Sequence, residues 1–288
     1  MAGGCCTPDR GGSCDRRVTV RSDGPTPTLV RIPAGTFLMG SEDPTAYALD
    51  LEGPVREVDV DAFSISATTV TVAGWADFVR ATGYVSDAER YGDSLVFAGA
   101  LPTDDDSPAV PATPWWRVVT GASWRRPAGP ASAVDAVRDL PDHPVTHVSR
   151  RDAEAYCTWT GTALPSEEQW EYAARGGLVQ QPFPWGGDED FSRMNTWHGN
   201  FPGNHSDSIF TEPAQSYEPN AYGLYHCTGN VWEWTTGMFD AARRDHRAVI
   251  RGGSHLCHES YCRRYRTSAR SGASEDTSSS HTGFRVIR

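Results

Sequence analysis

The sequence predicts a single α+β domain that is rich in loops and has little regular secondary structure. Its 288 residues are enough to bury a sizeable core, and 38% hydrophobic with 22% charged residues is typical of a folded soluble domain. Twenty Pro, 28 Gly and ten Trp indicate many turns that are anchored by large, rigid side chains. Three capped helices and several short strands account for the regular part.

The N-terminal part predicts a tail followed by strands. Residues 1–27 mix Gly, Pro, Arg and Cys without a hydrophobic period, so we expect a flexible tail before a domain over residues 28–288. From Leu29, the run LVRIPAGTFLMG predicts two short strands around a Pro-Ala-Gly turn. The later run VREVDVDAFSIS alternates polar and apolar residues, as expected of a strand.

Three helices are predicted from their caps and apolar stripes. The first follows Thr71, the second follows Ser149, and the third begins with a capping box formed by Ser166 and Gln169. Each is followed by a glycine, which closes a helix readily because it adopts the left-handed conformation at little cost. These glycines are Gly83, Gly161 and Gly176.

Two long segments show no regular pattern and are predicted to be loops. One lies between the first and second helices and contains the runs DDD and PWW. The other follows Gly177 and contains the turn sequences FPWGG, FPGN, PNAYG and CTGN. No repeat and no second hydrophobic unit is visible, so we expect one domain and a monomer.

Charge, hydropathy and cysteine content indicate which partners and which compartment suit this protein. The formal net charge of −11 disfavours nucleic acid and anionic lipid as partners, since both attract basic surfaces. No secretory signal pattern and no apolar run of membrane-spanning length is visible, so we expect a cytoplasmic protein. The odd count of seven cysteines leaves at least one thiol unpaired, which agrees with a reducing compartment.

Cys257 and Cys262 are the strongest candidates for a chemical site. They stand five residues apart in RGGSHLCHESYCRRYR, and thiolates are soft ligands that select copper(I), zinc or iron–sulfur clusters. Two thiolates do not complete a tetrahedral zinc site, whereas copper(I) accepts two ligands. The spacing alone leaves a small disulfide loop or a pair of buried thiols open as alternatives. The arginines nearby favour the thiolate, because positive charge stabilises the form that binds metal.

The same segment resembles the signature of the formylglycine-generating enzymes, the sulfatase-modifying factor family. Further segments match the family in the same order, and the resemblance covers roughly residues 28 to 288. They are HPVTHVS, DAEAYCTWTG, LPSEEQWEYAARGG, PWG, NAYGLY, GNVWEW and HTGFR. The resemblance implies the fold of this family, which is similar to that of C-type lectins.

The resemblance also implies an activity. Copper(I) would be held by Cys257 and Cys262, and dioxygen would be used to convert a cysteine of a target polypeptide, such as an unfolded sulfatase, to Cα-formylglycine. Ser254 and Trp232 would border the oxygen pocket. From residue type alone, Trp232 is equally typical of core packing and Ser254 of a turn hydrogen bond.

Substrate contacts are implied by two further segments. SDAERYGDS resembles the segment that lines the peptide groove of the family, which would place Ala88, Asp93 and Ser94 there. The usual target motif C-x-P-x-R ends in an arginine, for which Asp93 is a suitable partner. Trp115 is expected to pack on the proline of that motif. Alternatively, Asp93 is a turn residue and Trp115 an ordinary anchor.

Two calcium sites are usual in the family, and their residues are partly matched. Asn195 and Asp207, with the carbonyls of Thr196 and Ile209, resemble one site. The second would be formed by residues of the GNVWEW segment, partly through backbone oxygens, which suit calcium. Its members are Gly229, Val231 and Glu233. The alternatives are a surface position for Asn195 and a buried, paired carboxylate for Glu233.

Several positions depart from the family pattern. His226 replaces an asparagine of the second calcium site, and Arg150 and Arg151 replace Trp-Asn after HVS. Ala273 and Glu275 replace an asparagine and a proline near the substrate groove, which puts the usual target motif in question.

Other readings of the sequence stay open. One is a non-catalytic module of this fold that binds a peptide or sugar, and another is a fold-related iron sulfoxide synthase. A separate observation is that Cys6–Arg10 reads C-x-P-x-R, either by chance or as a pseudosubstrate, a self-modified site or a copper donor.

Overall fold

The computed structural model describes residues 22–203, 210–240, 242 and 245–288. Its helices are α1 (Val72–Thr82), α2 (Asp87–Tyr91), α3 (Ala136–Asp139), α4 (Arg150–Thr160) and α5 (Glu167–Arg175). Its strands are β1 (Leu29–Ile32), β2 (Gly35–Met39), β3 (Arg56–Val60), β4 (Phe63–Ser66), β5 (Asp93–Phe97), β6 (Ala109–Val110), β7 (Thr113–Thr120), β8 (Trp232–Asp240), β9 (Asp245–Arg251), β10 (Arg270–Ala273) and β11 (Thr282–Gly283). None of the helices in these ranges is long and apolar enough to cross a membrane. The predicted loop-rich α+β architecture is confirmed.

The three predicted helices form with the caps that predicted them. Thr71 accepts a hydrogen bond from the Gly74 N–H at the start of α1. Ser149 and Ser166 each take part in a complete capping box, at the start of α4 and α5 respectively. The residues that end these helices all adopt the left-handed conformation, as predicted: Gly83, Gly161 and Gly176.

The alternating run predicted as one strand is two strands with different partners. β3 pairs with β2 and β4 pairs with β1, both antiparallel, and residues 61–62 form the break between them. The chain therefore passes from one sheet to another at residues 61–62, where Asp61 is exposed. N-terminal to β1, the Gly24 N–H donates to the Trp159 carbonyl at 2.9 Å, so packed structure begins before Leu29.

The largest sheet lies in the segment predicted to be loops, and that prediction was wrong. Its strand order is β10-β9-β8-β11, with β11 parallel to β8 and the other pairs antiparallel. Trp232, Glu233 and Trp234 of β8 are all fully buried. Because both faces of this strand are covered at its start, the alternation that identifies a half-exposed strand is missing from that part of its sequence.

The loop predicted between the first two helices also contains a sheet. It has the order β5-β7-β6, and the PWW run lies within β7 rather than in a loop. Phe97 at the end of β5 is opposite Trp116 of β7, and Asp93 at its start is opposite Thr120. This register leads β5 and β7 toward the loop between β9 and β10, where the cysteine pair lies.

An aromatic core packs against these elements. Trp75 of α1 packs against Phe78, Tyr156 and Phe284 with ring centroids 5.0–6.1 Å apart. Cys157 of α4 belongs to the same cluster and is a free thiol, whose pKa burial raises to about 12. A neutral thiol in an apolar core packs as a small hydrophobic side chain.

Candidate active site

Cys257 and Cys262 meet in the loop that joins β9 to β10. Their Sγ atoms are 3.1 Å apart, each residue is 1% exposed, and both are free thiols. A disulfide bond would bring the sulfur atoms to about 2.0 Å, so the pair is reduced in this structure. The Cys262 N–H donates to the His258 carbonyl at 2.7 Å, which folds the intervening residues into one turn and brings the two sulfurs together.

The glycines before the pair permit its placement. Gly253 has a φ of 73°, and a Cβ there would lie 2.8 Å from the Arg264 carbonyl oxygen. A larger residue would therefore be strained and would push the two arms of the loop apart. The next residue, Ser254, donates its N–H to the Cys257 Sγ at 3.3 Å.

Electrostatics at the pair differ from the expectation based on nearby arginines. Burial raises the pKa of Cys257 well above its ordinary value, and contact with Cys262 raises it further. Arg264, with Nη1 3.8 Å from the Cys262 Sγ, lowers that pKa but does not outweigh burial. Arg251 and Arg263 instead pair with carboxylates. The free Cys257 thiol is thus neutral, and a metal ion that binds it would displace its proton.

A narrow pocket opens onto the cysteine pair. All four residues predicted to be catalytic, Cys257, Cys262, Ser254 and Trp232, line it together. The Ser254 Oγ accepts the Leu256 N–H at 3.3 Å. Trp232 is fully buried among core side chains and also lines the pocket. It therefore packs in the core and belongs to the candidate site at the same time.

Three partly buried aromatic rings form the wall of the pocket. Phe201 stacks on Tyr261 with ring centroids 4.5 Å apart, and Trp115 meets Tyr261 edge-on at 4.9 Å. Trp115 is therefore the one predicted substrate residue that reaches the pocket. These rings give the approach to the cysteines an apolar surface and shield it from water.

The other predicted substrate residues are placed differently. Ala88 and Ser94 have no exposed surface, so neither contacts a peptide in this arrangement. The Ser94 Oγ is 2.8 Å from both the Ser278 Oγ and the His147 Nδ1, which shows that its hydroxyl serves the interior. Asp93 is half-buried at the start of β5.

The first predicted calcium site is only partly described. The Asn195 amide donates to the Phe210 carbonyl at 3.1 Å, so Asn195 lies beside the residue that follows Ile209. Asn195 and Thr196 are both buried. Asp207 and Ile209 fall outside the described residues, as does the C-x-P-x-R match at Cys6.

The second predicted calcium site does not fit the residues present. Glu233 receives two hydrogen bonds from Arg285, at 2.5 and 2.6 Å, and one from the Trp170 indole N–H at 2.7 Å. These occupy three of the four acceptor positions of the carboxylate, and the fourth lies beside a guanidinium. His226 directs its Nε2 to the Pro213 carbonyl at 3.0 Å. Glu233 is therefore the buried, paired carboxylate of the alternative interpretation. Without it, the predicted site is left with the backbone oxygens of Gly229 and Val231.

Two departures from the family pattern contact each other. The Arg150 Nη1 is 3.0 Å from the Glu275 Oε1, and the Arg150 N–H donates to the Glu275 carbonyl at 3.1 Å. Ala273 is fully buried in β10. Neither Ala273 nor Glu275 lines the pocket at the cysteines, so these substitutions are accommodated by α4 and the sheet.

Five residues of the pocket were not predicted from the sequence. They are Trp116, Phe201, Leu256, Tyr261 and His281. Tyr261 stands between the two cysteines in sequence, and Trp116 adjoins the predicted Trp115. Their positions in the sequence could therefore have indicated both residues. Phe201 and His281 are brought in from distant segments. His281 opens the family segment HTGFR, which could have indicated it, whereas the turn sequence around Phe201 gives no such signal.

Comparison with known proteins places the chain in a family. The sequence matches the sulfatase-modifying factor enzyme 1-like domain over residues 16–288. It is 47% identical over 283 residues to the formylglycine-generating enzyme of Thermomonospora curvata, with 89% of this chain and 92% of the relative covered. It is also 42% identical over 267 residues to the inactive Cα-formylglycine-generating enzyme 2 of Mus musculus, with 90% and 85% covered.

A solved structure agrees with the sequence comparison. PvdO from Pseudomonas aeruginosa superposes with a TM-score of 0.66 at 26% identity, and the match covers 96% of this chain and 99% of PvdO. The shared fold and the identity over most of the length agree with the segments recognised in the sequence. The chain belongs to the formylglycine-generating enzyme family, which is also called the sulfatase-modifying factor family.

Proposed function

We propose that this protein oxidises a cysteine of a target polypeptide to Cα-formylglycine, using dioxygen and a copper(I) ion held by Cys257 and Cys262. The observation that carries the proposal is a pair of reduced, buried thiols 3.1 Å apart at an aromatic-lined pocket. Overall identity does not decide activity, because the family includes a relative named inactive at 42% identity. The site therefore carries the argument.

The cysteine pair fits copper(I) by its chemistry. Both donors are soft sulfur atoms held side by side on one turn, so a single ion can contact both once the two side chains move apart to admit it. In the described residues, no group of three or more His, Cys, Asp or Glu is arranged to hold a metal, which disfavours zinc at this position. When bound, copper would supply the redox chemistry that activates dioxygen.

The protein's own residues prepare the pocket for this reaction. The Ser254 N–H that donates to the Cys257 Sγ stabilises the thiolate form, which binds metal. The rings of Trp115, Phe201 and Tyr261 exclude water from the approach to the cysteines. A pocket without water limits the side reactions of partly reduced oxygen and strengthens every hydrogen bond inside the pocket.

The electron balance requires a reductant. Conversion of –CH2SH to –CHO with release of hydrogen sulfide removes two electrons from the substrate carbon, whereas reduction of dioxygen to the level of water takes four. We propose that a thiol reductant supplies the other two and becomes a disulfide, with one water released. This demand agrees with a reducing compartment such as the cytoplasm, where the free Cys157 and Cys227 would also persist.

The proposed substrate is an extended polypeptide segment with a cysteine and an arginine four residues later, as in an unfolded sulfatase. An extended chain spans about 13 Å over four residues. β5 covers the same number of residues between Phe97, whose ring meets the pocket residue Trp116, and Asp93. An extended peptide whose cysteine lies in the pocket, and which passes over the surface toward the start of β5, would therefore bring its arginine near Asp93.

Asp93→Asn is expected to weaken peptides that carry this arginine by roughly tenfold or more in kcat/KM, because a charge-assisted contact contributes about 1.5–3 kcal/mol. Peptides with glutamine in place of arginine should be affected much less. Kinetics with both peptides measure the effect, and Asp61→Asn at an exposed position is the matched control. An equal loss for both peptides would show that Asp93 acts only on the fold.

Ser254→Ala is expected to slow turnover while leaving stability nearly intact. The substitution removes an Oγ that accepts the Leu256 N–H, a hydrogen bond whose loss costs about 0.5–1.5 kcal/mol, but keeps the N–H that donates to Cys257. Thermal unfolding and kcat measure the two effects. Normal turnover in a variant that unfolds at a lower temperature would assign Ser254 to the turn alone.

The first calcium site is part of the proposal as a structural element. Asn195 and Asp207 would provide side-chain oxygens, and Thr196 and Ile209 would provide carbonyls. Carboxylate, amide and backbone oxygens are the ligands that calcium takes in proteins. The position of Asn195 beside Phe210 supports this assignment.

The decisive experiment has two steps. The reduced protein is titrated with copper(I) without oxygen and is then incubated in air with a C-x-P-x-R peptide and a thiol reductant. We expect one equivalent of copper to bind, and mass spectrometry to report the mass decrease from thiol to aldehyde. Peptide binding without oxidation by the copper-loaded protein would instead identify a non-catalytic module.

A further inference from the structure

His281 occupies a fixed position at the pocket, and no role in the proposed reaction has been assigned to it. It is 1% exposed and lines the pocket with both cysteines. Its carbonyl accepts the Trp232 N–H at 2.8 Å, immediately before β11 pairs with β8. Its ring meets Trp116 edge-on with centroids 4.6 Å apart. The sheet and a large aromatic ring therefore hold this imidazole in place.

The hydroxyl of Ser254 is the hydrogen-bond partner of one ring nitrogen. The Ser254 Oγ accepts the Leu256 N–H and keeps its hydroxyl proton, which is available to the His281 Nδ1 3.5 Å away when that nitrogen is unprotonated. This contact is long, as hydrogen bonds in substrate-free sites often are before they tighten on binding. Burial lowers the pKa of His281 well below its ordinary value, so the ring is neutral. A neutral ring that accepts at Nδ1 has its proton on Nε2.

Two buried nitrogen atoms at this pocket have no hydrogen-bond partner in the described part of the chain. They are the His281 Nε2 and the Trp232 Nε1. A buried N–H without a partner is costly, and most such groups in proteins are satisfied by protein, water or ligand. Both residues line the pocket that contains the cysteines, so one small acceptor in the pocket would satisfy them.

We propose that the His281 Nε2–H and the Trp232 Nε1–H bind a small, electron-rich oxygen atom beside the cysteine pair. Water would occupy this position at rest, and an oxygen atom that gains negative charge as dioxygen is reduced would occupy it during turnover. His281 is also a positioning residue for the Ser254 hydroxyl. The inference rests on the proposed oxidase function. Fixed neutral N–H donors stabilise developing negative charge without having to reorient at the moment of reaction.

Two substitutions separate the two nitrogen atoms of the ring. In His281→Asn the amide reaches the Nδ1 position and keeps a partner for Ser254, whereas in His281→Gln the amide reaches the Nε2 position and keeps the donor. We expect His281→Asn to lower kcat by about 100-fold, since loss of one such donor costs about 10²–10³ in rate. KM for the peptide should stay within about threefold, because the lost donor contacts the oxygen atom and not the peptide. His281→Gln should retain most of kcat.

His147 provides a matched control. It is also fully buried and its Nδ1 also contacts a serine hydroxyl, at 2.8 Å, but it does not line this pocket. His147→Asn should leave kcat per folded molecule unchanged. Equal kcat losses in His281→Asn and His281→Gln, or in His281→Asn and His147→Asn, would overturn the inference in favour of a packing role.

A spectroscopic measurement tests the tautomer without turnover. Nitrogen-15 NMR of the histidine-labelled full chain, with His281 identified by its loss in His281→Asn, should show a protonated Nε2 and an unprotonated Nδ1. A proton on Nδ1 would overturn the inference even if the wild type is active. An inactive copper-loaded wild type would instead refute the proposed function, and with it the role of the donors in turnover.

Discussion

Replacing either Cys257 or Cys262 with serine is expected to lower copper(I) affinity by more than about 100-fold and to abolish peptide oxidation. Loss of a residue that only orients a metal ligand typically costs 10–100-fold in affinity, so loss of a ligand itself should cost more. A serine hydroxyl is a harder donor, which copper(I) disfavours. Anaerobic titration of each reduced variant against a competing copper(I) chelator measures the change.

Cys157→Ser provides the control for this experiment. Cys157 is a free, buried thiol like the other two but lies in the aromatic core against α1. Its substitution should reduce stability, because it places a hydroxyl in an apolar site, but should leave copper affinity unchanged. Wild-type copper affinity in both Cys257→Ser and Cys262→Ser would contradict the metal assignment, whereas a loss in Cys157→Ser would show that the titration reports unfolding.

Elements with local end signals were predictable from sequence, and those defined by distant contacts were not. The helix after Ser149 was predicted because the capping residue and the closing glycine are both local. α2 had the same kind of signal, since Ser86 and Glu89 form a capping box, and it was overlooked because it is only five residues long. The start of β8 gave no signal, because residues 232–235 are all buried and the alternation that marks a strand is missing there.

The residues of the site divide in the same way, into those marked by a local sequence pattern and those that only the fold brings together. The cysteine pair is local in sequence, and both its proximity and its reduced state appear in the structure. His281 and Phe201 reach the pocket only through the pairing of β11 with β8 and the loop around residue 201, so the segment HTGFR marks His281 as a family residue without showing its place at the cysteines. Glu233 is a case in which the local sequence pattern indicates the wrong role. Its residue type suits a calcium ligand, and only the three-dimensional position of Arg285 assigns it to an ion pair.

The Glu233–Arg285 pair is fully buried, with each side chain at most 1% exposed. Burial alone would lower the pKa of Arg285, but the charge of Glu233 and their hydrogen bonds raise it above its ordinary value. Arg285 also donates to the Tyr225 carbonyl at 2.9 Å, and the Glu233 carboxylate holds the Trp170 indole. The pair thus connects β8 to α5 and to the segment after β11, close behind the pocket residue Trp232.

Arg285→Met is therefore expected to lower the free energy of unfolding by about 3–5 kcal/mol, because it leaves the Glu233 carboxylate buried without a counter-charge. The double variant Arg285→Met/Glu233→Leu should recover much of this loss, since replacing both ions with apolar groups removes the unpaired charge. Chemical denaturation measures both, and Arg288→Met at the exposed C-terminal residue is the control. If calcium restores the stability of Arg285→Met by binding Glu233, the carboxylate is a calcium ligand after all and the assignment of the ion pair is wrong.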